Sequence, residues 1–177
     1  LPALTSTTGR KKAEVMGERL LDINPELKLR VITEFIRDQR MIDILEEDKY
    51  DYVVDAIDTL SPKVFLIYHS LRLKLRIVSS MGAGGKFDPT AIRVADISET
   101  NFCNLARVLR KKLHKLGVHD GFTAVYSPEV VDKDLIVRGS DESNKASSVG
   151  TMSYMPAAFG IVCASVVIRE LSGTLSA

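Results

Sequence analysis

Tyr52-Val53-Val54-Asp55-Ala56-Ile57-Asp58-Thr59-Leu60-Ser61-Pro62 is the stretch on which the fold turns. Its first three residues form a short apolar run, as in a parallel strand covered on both faces. Two acids follow, and Ser61-Pro62 then opens a helix, because a proline in the first turn loses no hydrogen bond. Val64, Phe65, Ile67, Tyr68 and Leu71 give that helix its inner face, and Arg76-Ile77-Val78-Ser79 is the next strand. Upstream, Gly9 to Leu21 reads as a helix that gathers Val15, Met16, Leu20 and Ile23 and stops at Asn24-Pro25. Leu27, Leu29 and Val31 alternate with Lys28 and Arg30 and predict a half-buried strand. Asp38 is placed to cap a helix running to about Glu47. The order α-β-α-β-α-β, with short links, specifies an α/β fold with a mainly parallel sheet and helices packed on it.

Beyond Gly82 the pattern changes. Thr90 to Ile97 alternates as a strand, Asn101 to Leu116 is a helix with Phe102, Leu105, Leu109, Leu113 and Leu116 on one side, and Gly121 to Ser127 is strand-like. Arg138 to Ser148 is polar and reads as a mobile loop. From Ala146 to Ile168 no residue is charged, a length that would cross a bilayer. Gly150, Pro156 and Gly160 break the run, so Pro156 to Ile168 is expected to be a buried helix rather than a membrane span. The 177 residues carry 24 Lys+Arg and 23 Asp+Glu, a formal net charge of +1, which argues against a wholesale polyanion binder while leaving room for a local basic patch. Length and 45% hydrophobic content fit one ordinary domain with a real core and exclude a disordered or collagen-like chain. Cys103 and Cys163 are too few for a disulfide framework or a cysteine zinc site, so a reducing, cytoplasmic setting is expected.

Three features could carry chemistry. Ligands of open α/β sheets bind at the carboxyl ends of the strands, where Asp55-Ala56-Ile57-Asp58 falls. Either acid could hold magnesium on a nucleotide; alternatively, Asp55 satisfies turn N–H groups and Asp58 only starts the next helix. Gly82-Ala83-Gly84 follows a strand but lacks the third fingerprint glycine, and Lys86-Phe87-Asp88-Pro89 stands where the required helix should begin. It reads better as a tight turn beside a ligand than as a phosphate cradle. Arg107, Arg110, Lys111, Lys112 and Lys115 lie on one helix with no acid between Asn101 and His119. They suit either RNA phosphates or a solvated helix end whose dipole favours cations. His69, His114 and His119 are scattered and match no catalytic spacing, and both cysteines read as small core residues.

Gly9-Arg10-Lys11-Lys12-Ala13-Glu14-Val15-Met16, Asp22-Ile23-Asn24-Pro25-Glu26 and Asp55-Ala56-Ile57-Asp58 together resemble the ubiquitin-activating-enzyme-like adenylating family, of the ThiF/MoeB type. Ser61-Pro62-Lys63, Gly82-Ala83-Gly84-Gly85, Asp88-Pro89-Thr90, Tyr126-Ser127-Pro128-Glu129 and Pro156-Ala157-Ala158-Phe159-Gly160 are similar to its tRNA threonylcarbamoyladenosine dehydratase branch. The resemblance runs through nearly the whole chain in order. It implies a Rossmann-like sheet with helices on both faces and a C-terminal strand and helix extension. It further implies ATP with magnesium, and activation of a carboxylate as an acyl-adenylate. In the dehydratase branch that carboxylate belongs to a threonylcarbamoyl group on tRNA, which then cyclises with net loss of water. By the same resemblance Lys12 contacts ATP phosphates, Asp58 holds magnesium-ATP beside Ala56 and Ile57, and the protein is a homodimer; the cationic helix is consistent with the RNA-modifying branch.

The family's glycine-rich phosphate loop, ribose-binding acid and Asn-Arg motif all precede the residue matching Leu1. On that alignment the chain lacks roughly the first βαβ unit and Lys12 and Asp58 are half of an ATP site, so this piece alone is expected to bind ATP weakly or not at all and to be inactive. Two other readings remain. One is adenylation of a ubiquitin-like sulfur-carrier protein, whose enzymes usually carry paired Cys-x-x-Cys motifs and a reactive cysteine. The other is a non-catalytic binding or dimerisation fragment.

Overall fold

A computed structural model of the chain describes residues 4–132, 136–138 and 147–173. Two compact units emerge, Leu1–Ile36 and Arg37–Ala177. In the first, a turn of 3-10 helix at Thr5–Thr7 precedes α1 (Lys12–Ile23). Residues 27–32 do not form the expected strand, because among the described residues they have no strand to pair with, and alternation alone supplies a face without a partner. They serve as a packing strap instead: a Cβ added to buried Gly17 of α1 would lie 2.8 Å from Val31 Cγ2.

The second unit is a four-stranded sheet with helices on both faces. Its elements are α2 (Asp38–Glu46), β1 (Val53–Asp55), α3 (Leu60–Arg72), β2 (Ile77–Ser80), β3 (Arg93–Asp96), α4 (Asn104–His114), β4 (Thr123–Tyr126) and α5 (Tyr154–Leu171). The strand order is β1-β2-β4-β3. β1, β2 and β4 run parallel, with Val53 opposite Ile77 and Val78 opposite Thr123, while β3 pairs antiparallel with β4. Successive residues of a strand face opposite sides, and the core divides accordingly. Ile77, Ala124 and Tyr126 join Val64 and Ile67 of α3 and Ala106, Leu109 and Leu113 of α4 on one side. Val78 and Val125 join Met155, Phe159, Cys163 and Val166 of α5 on the other.

Some expectations change in detail. The N-cap of α2 is Arg37, which makes no side-chain capping hydrogen bond, and Asp38 sits in the first turn. Val54 is 51% exposed, so β1 is covered on one face only; among the described residues it is an edge strand. Phe65 is also exposed. α5 is long and apolar enough to cross a membrane, yet it lies on the sheet with one face buried and with Ile161 and Ile168 outward. Two further short strands, β5 (Ile136–Arg138) and β6 (Ser147–Val149), pair antiparallel at the ends of the stretch expected to be a mobile loop; residues 139–146 of that stretch lie outside the described residues.

Candidate functional site

Parallel strands end at the same edge, so the turns after β1, β2 and β4 share one side of the sheet. After β1 come Ala56, Ile57 and Asp58, after β2 the Met81–Asp88 loop, and after β4 Ser127, Pro128 and Glu129. The two acids of the first turn divide between inside and outside. Asp58 is exposed between β1 and α3. Asp55 is fully buried, its Oδ2 accepting from Ser79 Oγ at 2.6 Å and its Oδ1 from the Ile57 N–H at 3.0 Å. Satisfying the turn is therefore a role Asp55 does perform. Its charge partner is Lys63 Nζ at 2.7 Å, equally buried, which also donates to the carbonyls of Ile57 at 3.1 Å and Ser80 at 2.8 Å.

A second buried lysine holds the neighbouring loops. Lys86 Nζ donates to the carbonyl of Ser127 at 3.1 Å and to that of Glu129. The Glu129 carboxylate accepts from the backbone N–H groups of Phe87 at 3.0 Å and Asp88 at 3.1 Å, and from Ser127 Oγ at 2.8 Å. Burial pushes the Lys86 ammonium below its ordinary range, with Cys103 and Glu129 offsetting part of that. Burial pushes the Glu129 carboxyl up, but the Phe87, Ser127 and Asp88 hydrogen bonds together outweigh it and leave a net shift downward. Tyr154 at the start of α5 donates its hydroxyl to the Phe87 carbonyl at 2.9 Å, tying the helix to the same loop.

The glycine turn makes a close approach, although to this chain's own side chains. Gly85 has φ +68, and a Cβ there would lie 2.5 Å from Val131 Cγ1 and 3.2 Å from Val149 Cγ1. Neither lysine nor Glu129 stood out in the sequence as a site residue, since a lone Lys or Glu reads as surface. Lys12 is exposed in the first turn of α1, in the other unit.

On α4, Arg107, Lys111, Lys112 and Lys115 are exposed. Arg110 turns inward and donates to the carbonyl of Thr100 at 2.8 Å and to the Thr100 hydroxyl. His114 and His119, scattered in sequence, come together with ring centroids 4.6 Å apart at the cationic end of this helix. Cys103 and Cys163 are buried core residues, as expected. Burial pushes the Cys163 thiol up despite nearby Lys63. That is the opposite of a reactive thiolate.

Comparison with known proteins agrees with this architecture. The tRNA threonylcarbamoyladenosine dehydratase of Bacillus subtilis (strain 168) is 34% identical over 178 residues, covering 97% of this chain and 70% of that protein. The crystal structure of Escherichia coli tRNA N6-threonylcarbamoyladenosine dehydratase, TcdA, in complex with ATP matches 98% of this chain and 69% of its own, at 32% identity and TM-score 0.85. The AMP complex of the same protein gives 33% identity and a TM-score of 0.83. A family model described as the ThiF family matches residues 3–176. With the sheet, its two helical layers and the strand-end turns all falling inside that match, the chain belongs to the ThiF family.

Proposed function

We propose that the protein adenylates a carboxylate with ATP and, by that activation, cyclises threonylcarbamoyladenosine in tRNA. The observation that carries this reading is the agreement in fold, over 98% of the chain, with a dehydratase crystallised with ATP. A carboxylate oxygen of the threonylcarbamoyl group attacks the α-phosphorus and pyrophosphate leaves. A nitrogen of the same group then attacks the acyl carbon, loses its proton and expels AMP. The balance is one ATP to AMP and pyrophosphate, with one water's worth of atoms removed from the nucleoside.

Such chemistry needs positioning and charge neutralisation more than covalent help from the protein. Lys12 supplies a cation for the charge that grows on the α-phosphate. Asp58, with Ala56 and Ile57 beside it, faces magnesium-ATP at the carboxyl edge. A single exposed carboxylate fits magnesium, which keeps waters and phosphate oxygens as most of its ligands. Among the described residues no group of three or more His, Cys, Asp or Glu could hold a metal unaided. Magnesium, when bound, neutralises phosphate charge. Arg107, Lys111, Lys112 and Lys115 meet tRNA phosphates, while Arg110 is engaged mainly with Thr100. A homodimer goes with this reading by family resemblance, and a cytoplasmic location by the two lone cysteines.

The test is incubation of the full-length protein with threonylcarbamoyl-modified tRNA and magnesium-ATP, followed by mass spectrometry of the nucleosides. Loss of one water, with AMP and pyrophosphate released, is expected; an unchanged nucleoside mass overturns the reading. Asp58→Asn is expected to lower kcat/KM by about 10²–10³-fold, the scale of one lost transition-state stabiliser. Lys111→Glu is expected to weaken tRNA binding and flatten the plot of log affinity against log salt by about one unit.

A further inference from the structure

The Asp55–Lys63 pair is a costly piece of construction. Both side chains are fully buried, and lifting two charges out of water costs several kcal/mol per ion before their attraction returns any of it. Lys63 also lies in the first turn of α3, where the helix dipole disfavours a cation. Apolar residues of the same volume would hold a helix against a strand at least as well. A stability role alone is therefore a poor account of why these two residues are here.

What the pair does geometrically is specific. Asp55 Oδ1 accepts the Ile57 N–H, and Lys63 Nζ donates to the Ile57 carbonyl. Both backbone polar groups of Ile57 are thus held by one ion pair. The Ile57 carbonyl belongs to the peptide unit that joins Ile57 to Asp58, and no peptide among the described residues is cis. In a planar trans unit the N–H points opposite to the C=O. With the carbonyl drawn toward the buried ammonium, the Asp58 N–H is aimed away from it. The third donor of Lys63 goes to the Ser80 carbonyl, so the same ammonium sets the end of β1 against the end of β2. All three of its N–H groups are occupied, and none is left to touch a ligand.

We propose that Lys63, paired with Asp55, is a positioning residue for nucleotide binding. It orients the Ile57–Asp58 peptide so that Asp58 is presented at the strand edge. This rests on the reading of Asp58 as the group that faces magnesium-ATP. Loosening that peptide shifts Asp58 by a fraction of an ångström to an ångström, a displacement on the scale that costs about 10- to 100-fold in enzymes.

The experiment introduces the charge-neutral double variant Asp55→Asn/Lys63→Met, which strands no buried ion, into the full-length protein, with cyclisation of threonylcarbamoyl-tRNA as the readout. A cooperative urea transition establishes that it folds. The KM for magnesium-ATP is expected to rise by about 10-fold or more while the KM for tRNA stays at the parent value, a split that general loosening of the fold would not produce. A folded double variant with the parent KM for ATP overturns the proposal. Asp58→Asn is measured alongside. If it raises the ATP KM and the double variant does not, only the positioning role fails; if neither moves it, the reading of Asp58 fails. Should the double variant not fold, Ser79→Ala removes one hydrogen bond from Asp55 and no charge. A rise of about twofold in the ATP KM, the factor carried by about half the free energy of a typical hydrogen bond, with tRNA unaffected, is then expected; an unchanged value overturns the proposal.

Discussion

Lys63 and Lys86 each bury an ammonium group at the same edge of one sheet, and they are satisfied by different means. Lys63 has a carboxylate at 2.7 Å and two carbonyls; Lys86 has two carbonyls, and the nearby Glu129 carboxylate is taken up by the Phe87 and Asp88 N–H groups. One lysine is half of an ion pair, the other a cation solvated by backbone dipoles. Removing the first leaves a buried charge behind, whereas removing the second leaves only carbonyls short of a donor. The difference in partner, at similar burial, decides what each position can tolerate.

The largest expected effect follows from that contrast. Lys63→Met strands the Asp55 carboxylate in the core and is expected to cost about 3–5 kcal/mol in urea unfolding, with most of it regained when Asp55→Asn is added. Lys86→Met is expected to cost about 1–3 kcal/mol, the range for buried polar groups left without a partner. Equal shifts in the urea midpoint for the two single variants would break the distinction. Acid titration gives a smaller effect. Glu129 ionises more readily in the folded protein than at its ordinary 4.5. Its contribution is therefore complete above about pH 4.5 and is lost as pH falls through the lower folded value. Glu129→Gln is expected to flatten the urea midpoint between pH 5 and pH 3 relative to the parent, and an unaltered acid slope would contradict this. The smallest effect is at the alkaline end. Between the depressed folded value of Lys86 and its ordinary 10.5, the unfolded chain binds more protons than the folded one, so this lysine makes stability rise with pH. Lys86→Met should remove that rise, whereas Glu129→Gln should keep it.

Much of the fold was legible because it follows from local periodicity. The helix opened by Ser61-Pro62 begins at Leu60, and the Ile77-Val78 alternation divides the two cores as a period of two requires. What local pattern does not contain is the partner. Residues 27–32 alternate like a strand yet have no strand to pair with among the described residues, and α5 is apolar all round although only one face is covered. The same limit hid part of the candidate site. Asp58 was visible as an acid directly after a strand. Lys63 and Lys86 were not, because their burial depends on carbonyls that converge from Ser80, Ser127 and Glu129, 17 to 43 residues away in the chain. A lysine buried by long-range backbone contacts has no signature in its own neighbours. His114 and His119 are a milder case: five residues apart, they meet only because the chain turns at Gly117 after α4.

Gly85 has a consequence for how this chain can drift in sequence. Several glycines here share its left-handed backbone, but those at Gly9, Gly117 and Gly121 have nothing within 4 Å of where a side chain would start, so a replacement there meets only the backbone strain, which asparagine and aspartate tolerate best. At Gly85 the same substitution meets Val131 at 2.5 Å as well. Relief would require a smaller residue at 131 and one at 149 together, since both valines close on that point. Saturation mutagenesis should therefore find Gly85 nearly closed to single changes and opened only in company, a three-residue lock joining the loop after β2 to two later segments of the chain.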